Sequence, residues 1–492
     1  MADQADTSAI KKDAIQGSVW VFLLGAIAFP LTYGRTWFLG RTGTAGEVLG
    51  VYALVILLQQ GIQTFLFFGG RNVLTTFFPK LRTAEQRVGL LNFYYVTVAL
   101  SVAVGVLVVT LCPGAVEWLL RRELSPEARW LLIALIPVTL LASLGSSLLT
   151  AMRDFGFAAL LGRLQLYGVT LLACLCFFLA PDVMAAHPFL ILGGTVVAVC
   201  FLNACISLPK VHARIGFSRA CRMPRNSIRF AGFAHLEKIA TYFYIWADQL
   251  FVLQKFDLGT LGVYAALLQM ARFVQLTVQM FGHVLLTTFS TLLGRNEESQ
   301  VVSAYGKLAR LSVLFHLVVC LILVLLARPI ASVFGPVFAE NYRYLVWLAV
   351  CINAASVTTV TSMCATAYEK MRQLLCTKLV QVGVQLVVTV ALIGPLGVYG
   401  VIAGKGIGIL VGTLGLFIVL ASCGTGRKMR PPAVYWISQC FMVLAAVYAH
   451  AYAENWLVTA ALGAAVLIGF LLAGRYRLQE FVAVVNLARK AK

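Results

Sequence analysis

Apolar runs of about 20 residues recur along the whole chain, separated by short stretches rich in charge, Gly and Pro. About 20 helical residues cross the hydrocarbon of a bilayer, and in lipid each backbone polar group must be satisfied inside the structure. The pattern therefore predicts spans at 17–36, 48–69, 88–112, 128–150, 164–181, 188–208, 234–255, 261–290, 308–330, 344–367, 379–394, 398–420, 433–452 and 456–474. The fold class that follows is an all-α integral membrane protein of about 14 transmembrane helices. Basic residues check the count, because cytoplasmic loops are enriched in Lys and Arg. With both termini cytoplasmic, the inner loops and tails hold 28 Lys/Arg and the outer loops eight, leaving Lys238, Arg272 and Lys405 inside spans. Loss of one helix would scramble that asymmetry.

Composition narrows the classes further. The chain has 492 residues, 60% hydrophobic and 12% charged, whereas soluble domains carry about 25% charged residues. No aqueous segment is long enough for a nucleotide-binding or glycosyltransferase module, and no P-loop, H-E-x-x-H or G-x-S-x-G occurs, so the expectation is a non-enzyme with no cofactor and no metal. The net charge of +20 reads as membrane orientation rather than nucleic-acid binding. The longest inner loop, 209–233, carries Lys210, Arg214, Arg219, Arg222, Arg225 and Arg229 with no Asp or Glu. It reads as a topology determinant resting on anionic lipid. Cys174, Cys176, Cys200, Cys205, Cys320, Cys351 and Cys364 lie in apolar runs without a C-x-x-C pair, and read as small core residues. The polar start of the chain, with Lys11 and Lys12, reads as a retained cytoplasmic tail.

An internal repeat sets the architecture. Residues 49–77 and 261–289 align at a constant offset of 212 with 11 of 29 positions identical, including Leu-Gly-Val-Tyr-Ala at one end and Leu-Thr-Thr-Phe at the other. A weaker echo at offset 216 sets Thr150-Ala151 against Thr366-Ala367 and Gln165 against Gln381. Each repeat contains six spans, an even number, so the two copies run parallel about an axis along the membrane normal. The expected organisation is an N-lobe over 1–208, a basic linker over 209–233, a C-lobe over 234–430, and spans thirteen and fourteen with a basic tail over 431–492. Lobes of this kind rock about a central cavity and expose it to each side in turn.

A charge at mid-bilayer is costly and faces a cavity or a partner. On span eight Gln269, Arg272, Gln275, Gln279 and His283 recur every three or four residues, within roughly a 120° arc. Arg272 lies about 16 Å from the outer end of that span. The related face of span two has Gln59, Gln60 and Gln63, with Gln60 equivalent to Arg272 and Gln63 to Gln275. These strips are candidate cavity walls. Span seven carries Glu237, Lys238 and Asp248, and span twelve carries Lys405. Asp248 reads either as a site residue or as the structural partner of Arg272 or Lys405. Glu237 and Lys238 lie near the inner end, where snorkelling is cheap. Arg35 and Arg41 read as interfacial, and His316 as a packed, hydrogen-bonded residue. Across the spans cations outnumber anions, which favours an anionic cargo.

Three short stretches carry a resemblance. Phe38-Leu39-Gly40-Arg41 leads through Glu47 to Leu49-Gly50-Val51-Tyr52-Ala53. Trp246-Ala247-Asp248-Gln249-Leu250 leads to Gly262-Val263-Tyr264, and Pro395-Leu396-Gly397-Val398-Tyr399-Gly400 opens span twelve. In order and spacing they resemble the Wzx-type polysaccharide flippases of the multidrug/oligosaccharidyl-lipid/polysaccharide (MOP) exporter superfamily. Gly43-Thr44-Ala45-Gly46 stands where that family usually has Leu-Gly-Pro, and the arginine-rich first-span motif of the peptidoglycan-precursor flippases is not evident. The resemblance implies a bacterial inner-membrane protein that moves a polyprenyl-diphosphate-linked oligosaccharide from the cytoplasmic to the periplasmic leaflet. Arg272, Lys405, Gln269, Gln275, Gln279, Gln60, Gln63 and Asp248 would then contact substrate, with Asp248 or Glu237 available to couple a proton or sodium ion. Expected partners are the lipid-linked oligosaccharide, membrane lipids and a polysaccharide polymerase or export machinery. Two other functions fit the pattern: a multidrug or cation antiporter of the same superfamily, and a non-transporting membrane subunit of an exopolysaccharide synthase.

Overall fold

The computed structural model describes residues 33–39, 45–78, 81, 83–120, 123, 125–152, 154–179, 181–216, 227–280, 285–286, 289, 292–293, 297–423 and 433–452. The long helices are α1 (Ala45–Leu66), α2 (Ala84–Leu111), α3 (Pro126–Ala151), α4 (Phe155–Leu179), α5 (Pro188–Ile215), α6 (Ser227–Lys255), α7 (Leu258–Met280), α8 (Glu298–Leu325), α9 (Tyr342–Ala354), α10 (Thr358–Ala367), α11 (Met371–Leu396), α12 (Val398–Ala421) and α13 (Ala433–Tyr452). Among the described residues there is no strand, and ten helical segments are long and apolar enough to cross a membrane. The protein is an all-helical, multi-pass membrane protein, and 14 spans are consistent with what is described. Most of the first expected span and all of the last lie outside the described residues, as do both chain termini. α6 and α7 match the others in length but fall outside the apolar set. They are the helices that carry Glu237, Lys238, Asp248 and Arg272.

Local signals start several helices where the pattern puts them. Thr83 accepts a hydrogen bond from the Gln86 amide ahead of α2 (3.2 Å), and Ser125 accepts one from Ala128 ahead of α3, with Pro126 in the first turn. Asp257 does the same for α7, accepting from the Thr260 amide at 2.7 Å. That bond holds the Asp257 carboxyl below the usual carboxylate range. Leu100, Val104, Leu107 and Leu111 form one exposed face of α2 at helical spacing, and Val380, Val387 and Val390 do so on α11. Lipid supplies the missing contacts on such faces.

By its internal contacts the chain divides into two compact units. One comprises residues up to Trp246 together with Leu253–Gly262, and the other Ala247–Val252 and everything from Val263. In the first unit α3 packs on α5, with Leu140, Leu144 and Leu148 fully buried and Gly145 admitting Ser207. α5 runs on through Pro209 to Ile215, so the start of the basic linker is helical. Its Lys210 and Arg214 both reach Asp154 at 3.0 Å, which gives them the carboxylate their own segment lacks. This unit also contains a crossing between the first turns of α1 and α7. A Cβ on Gly50 would strike the Leu258 carbonyl, and a Cβ on Gly262 would strike the Gly46 carbonyl and the Gly50 amide. At offset 212 Gly50 corresponds to Gly262 and Gly46 to Leu258, so the contacts are reciprocal, as a local two-fold requires.

In the second unit α11 lies along α12. Gly400, Gly404, Gly408 and Gly412 form a stripe on α12 where a Cβ would meet Leu392, Thr389, Gln385 and Gln381 of α11. Small residues at every fourth position let two membrane helices approach to backbone contact. The expected span over 344–367 is found as one crossing segment, Tyr342–Ala367, with a turn at 355–357 between the end of α9 at Ala354 and the start of α10 at Thr358. Backbone amides bridge the turn, with Ser356 donating to Asn353 and Thr358 to Ala355, and side chains add further donors inside the membrane. Tyr435 donates to the Ala354 carbonyl at 2.9 Å, Gln439 to Asn353, and Ser312 to Ser356, while Thr413 donates to Ile409 of its own helix at 2.8 Å. His316 is buried with Nδ1 2.9 Å from the Ser312 carbonyl, packed and hydrogen-bonded as its lone position in an apolar span predicts.

Candidate functional site

The second unit buries an ionic cluster at the meeting of three helices. Asp248 projects from α6 and is 0% exposed; Lys405 projects from α12 and is 2% exposed. The Lys405 ammonium donates to Asp248 Oδ2 at 2.7 Å, and the Tyr264 hydroxyl on α7 donates to the same oxygen at 2.7 Å. Asp248 Oδ1 has no hydrogen-bond partner among the described residues. The Arg272 guanidinium, two helical turns beyond Tyr264, lies within electrostatic reach of both Lys405 and Tyr264. Among the described residues the cluster thus holds two basic groups and one acidic group. Ions taken out of water persist only when paired and hydrogen-bonded, and here one carboxylate oxygen serves two donors. Glycine places the lysine: Gly406, its neighbour, admits the Cys351 thiol of α9, which itself donates to the Ile402 carbonyl at 3.4 Å.

The structure therefore joins Asp248, Lys405 and Arg272, and of the two sequence alternatives for Asp248's ionic partner it selects Lys405. Gln269 and Gln275 are half-buried on α7, while the Gln279 side chain and His283 lie outside the described residues. Gln60 and Gln63 are half-buried on α1 in the first unit, where Gln59 is buried with its amide donating to the Cys200 sulfur at 3.3 Å. Glu237 accepts a hydrogen bond from Thr241 at 3.0 Å, and Lys238 lies 5.8 Å from the Phe67 ring centre. Both are half-buried and belong to the first unit, apart from the Asp248 cluster.

Two features escaped the sequence reading. Tyr264 was visible as part of a Gly-x-Tyr motif, but nothing local marked its hydroxyl as a partner of Asp248. Arg35, expected at the membrane interface, is instead buried at 3% exposure. Its Nη1 donates to the Tyr52 hydroxyl at 2.5 Å, and its guanidinium carbon lies 4.0 Å from the centre of the Tyr52 ring. Tyr52 on α1 and Thr170 on α4 enclose it, with Thr170 Oγ1 3.5 Å from Nη1. Burial among partners from other helices replaced the snorkelling that its sequence position suggests. Tyr52 is the repeat equivalent of Tyr264, and that equivalence is the signal that could have found both.

No protein-family model matches the chain, and no curated protein matches it. Solved structures do. The lipid II flippase MurJ in an inward closed conformation superposes with a TM-score of 0.70 at 12% identity, covering 93% of this chain and 99% of that one. An inward-facing multidrug resistance MATE family transporter of the MOP superfamily gives 0.64 at 12% identity, over 84% of this chain and 99% of that one. A MATE structure in complex with MaL6 gives 0.59 at 13% identity, over 85% and 97%. At such identities the likeness is one of architecture: this chain has the fold of these MOP-type membrane proteins.

Proposed function

We propose that the protein is a flippase that carries a polyprenyl-diphosphate-linked oligosaccharide across the bacterial inner membrane by alternating access. The observation that carries this reading is the cluster of buried Asp248 and Lys405 with half-buried Arg272, in which, among the described residues, basic groups outnumber acidic ones on membrane helices. Intramembrane charges of this kind mark substrate or ion pathways. Arg272 would meet the diphosphate through charge-assisted hydrogen bonds, and the amides of Gln60, Gln63, Gln269, Gln275 and Gln279 would exchange hydrogen bonds with sugar hydroxyls. The fold shared with a lipid II flippase supports a lipid-linked cargo. Moving negative charge outward gains about 2.3 kcal/mol per charge per 100 mV in a cell negative inside. A proton arriving on Asp248 would release the Lys405 ammonium, which gives the cluster a means of ion coupling; Glu237 is the second candidate. The lobes 1–208 and 234–430, the linker 209–233, the appendage 431–492 and cytoplasmic termini complete the proposal, with a polysaccharide polymerase or export machinery as partner.

The test is protection of a fluorescent polyprenyl-diphosphate oligosaccharide from an external quencher in proteoliposomes. Wild type should flip it, and Arg272→Ala should lower the rate about tenfold or more, the loss expected for removing a charged hydrogen-bond donor. An unchanged rate in a folded Arg272→Ala protein overturns the assignment of that residue. Transport of organic cations in place of the lipid would favour the antiporter reading that the MATE likeness keeps open.

A further inference from the structure

The end of the second unit that cytoplasmic termini would place outside gathers side chains the Asp248 cluster does not use. Tyr342, Arg343, Tyr344 and Trp347 lie in the first turns of α9, Tyr399 in the first turn of α12 and His450 in the last turn of α13. The ring centres of Tyr344 and Tyr399 are 5.1 Å apart at 71°, and those of Tyr399 and His450 6.4 Å apart at 73°. Trp347 joins them, 6.3 Å from His450. Edge-to-face contacts hold such rings together and leave aromatic faces open, and all four are half-buried. Trp and Tyr also mark the interfaces of ordinary spans, where a ring sits in the headgroup layer. Trp118 and Trp130 of the first unit have that character, each 71% exposed and outside any ring pair among the described residues. The cluster on α9, α12 and α13 is different: a packed surface built by three helices.

Its polar atoms point to a guest. The Tyr344 and Tyr399 hydroxyls and the Trp347 indole N–H have no hydrogen-bond partner among the described residues, and His450 Nδ1 is buried without one. Arg343 is exposed and its Nε donates to the Tyr342 hydroxyl at 3.3 Å. No carboxylate among the described residues lies within ion-pair distance of it. Grouped aromatic rings can hold an organic cation, but Arg343 lies within electrostatic reach of Tyr399 and would repel one. We propose that Tyr344, Trp347, Tyr399 and His450, edged by Arg343, form a carbohydrate-binding platform for a pyranose unit of the translocated glycan. A pyranose presents C–H groups on one face, which pack on aromatic rings, and hydroxyls around its rim. The phenols, the indole N–H and the imidazole exchange hydrogen bonds with those hydroxyls. This rests on the oligosaccharide cargo proposed above and gives its sugars a holding point on the outer side.

The experiment is saturation-transfer NMR on the full-length protein in lipid nanodiscs. The probes are methyl glycosides of glucose, galactose, mannose and N-acetylglucosamine, with tetraethylammonium as the cation. Wild type should transfer saturation to the ring C–H protons of at least one glycoside and not to tetraethylammonium. Trp347→Ala should weaken that binding about fivefold, the effect of one aromatic contact, and Trp118→Ala should leave it unchanged. If Trp347→Ala does not fold, Tyr399→Phe decides: it keeps the ring and should weaken binding about fivefold through one lost hydrogen bond. Transfer to no glycoside, transfer to tetraethylammonium in their place, or undiminished binding in the folded variants overturns the platform. A protein that flips the lipid-linked oligosaccharide but binds no glycoside loses the platform and keeps its proposed function. One that binds a glycoside in this way but flips nothing keeps the platform and loses that function.

Discussion

Tyr52 and Tyr264 occupy one position in two copies of the same repeat, yet the first accepts a hydrogen bond from a cation and the second donates one to an anion. A phenol can do both, so the position tolerates either sign of charge. Around it the scaffold is conserved between copies down to the reciprocal glycine contacts of Gly50 and Gly262. Duplication has kept what the backbones need in order to cross, while the charges that the helices enclose have diverged. The second unit pairs one ammonium with a carboxylate and keeps the Arg272 guanidinium within reach; the first presents a guanidinium with no carboxylate beside it among the described residues.

The hardest way to break this contrast is to unbalance the second unit. Asp248→Ala strands a buried ammonium and should cost about 3–5 kcal/mol, whereas Asp248→Leu with Lys405→Met should recover most of that loss; denaturant unfolding in detergent measures both. Next come the crossing glycines. Gly50→Ala and Gly262→Ala each push a methyl into backbone and should cost as much as about 3 kcal/mol, by similar amounts, because the contacts are reciprocal. A large inequality would show that only one copy depends on the crossing. Tyr264→Phe should cost about 2 kcal/mol and Tyr52→Phe about 1 kcal/mol, since Tyr264 is fully buried and Tyr52 half-buried. The smallest effect is at the helix starts. Asp257→Ala should cost about 1 kcal/mol at neutral pH. The Asp257 carboxyl titrates lower in the folded protein than when unfolded, so its contribution is complete above about pH 4 and disappears as pH falls through the folded value. Ala45, the equivalent position at the start of α1, has nothing to titrate, so the wild-type and Asp257→Ala unfolding curves should converge in acid.

Span positions were legible because a bilayer imposes one length on every helix, and even α6 and α7 stood out between their flanking turns despite their polar residues. The polar interior was only half legible. Asp248 and Lys405 could each be singled out as charges in apolar runs, but they are 157 positions apart, and both Lys405 and Arg272 remained open as partners until helix packing chose Lys405. Arg35 was misread because an arginine at the end of an apolar run looks interfacial; its burial depends on Tyr52 and Thr170, which other helices deliver. The turn between α9 and α10 carries no Gly or Pro. The side chains of Tyr435, Gln439 and Ser312 that donate to carbonyls around it are all remote in sequence.

The glycine stripe of α12 has a mechanical consequence. With methylene-free backbone pressed against α11 at Gly400, Gly404, Gly408 and Gly412, the two helices cannot slide or swivel past each other without steric collision, so they turn as one rod. Lys405 rides on that rod while its anchor, Asp248, sits on a different helix. That 2.7 Å contact ties the rod to α6, as the Cys351 thiol at Gly406 and Ile402 ties it to α9.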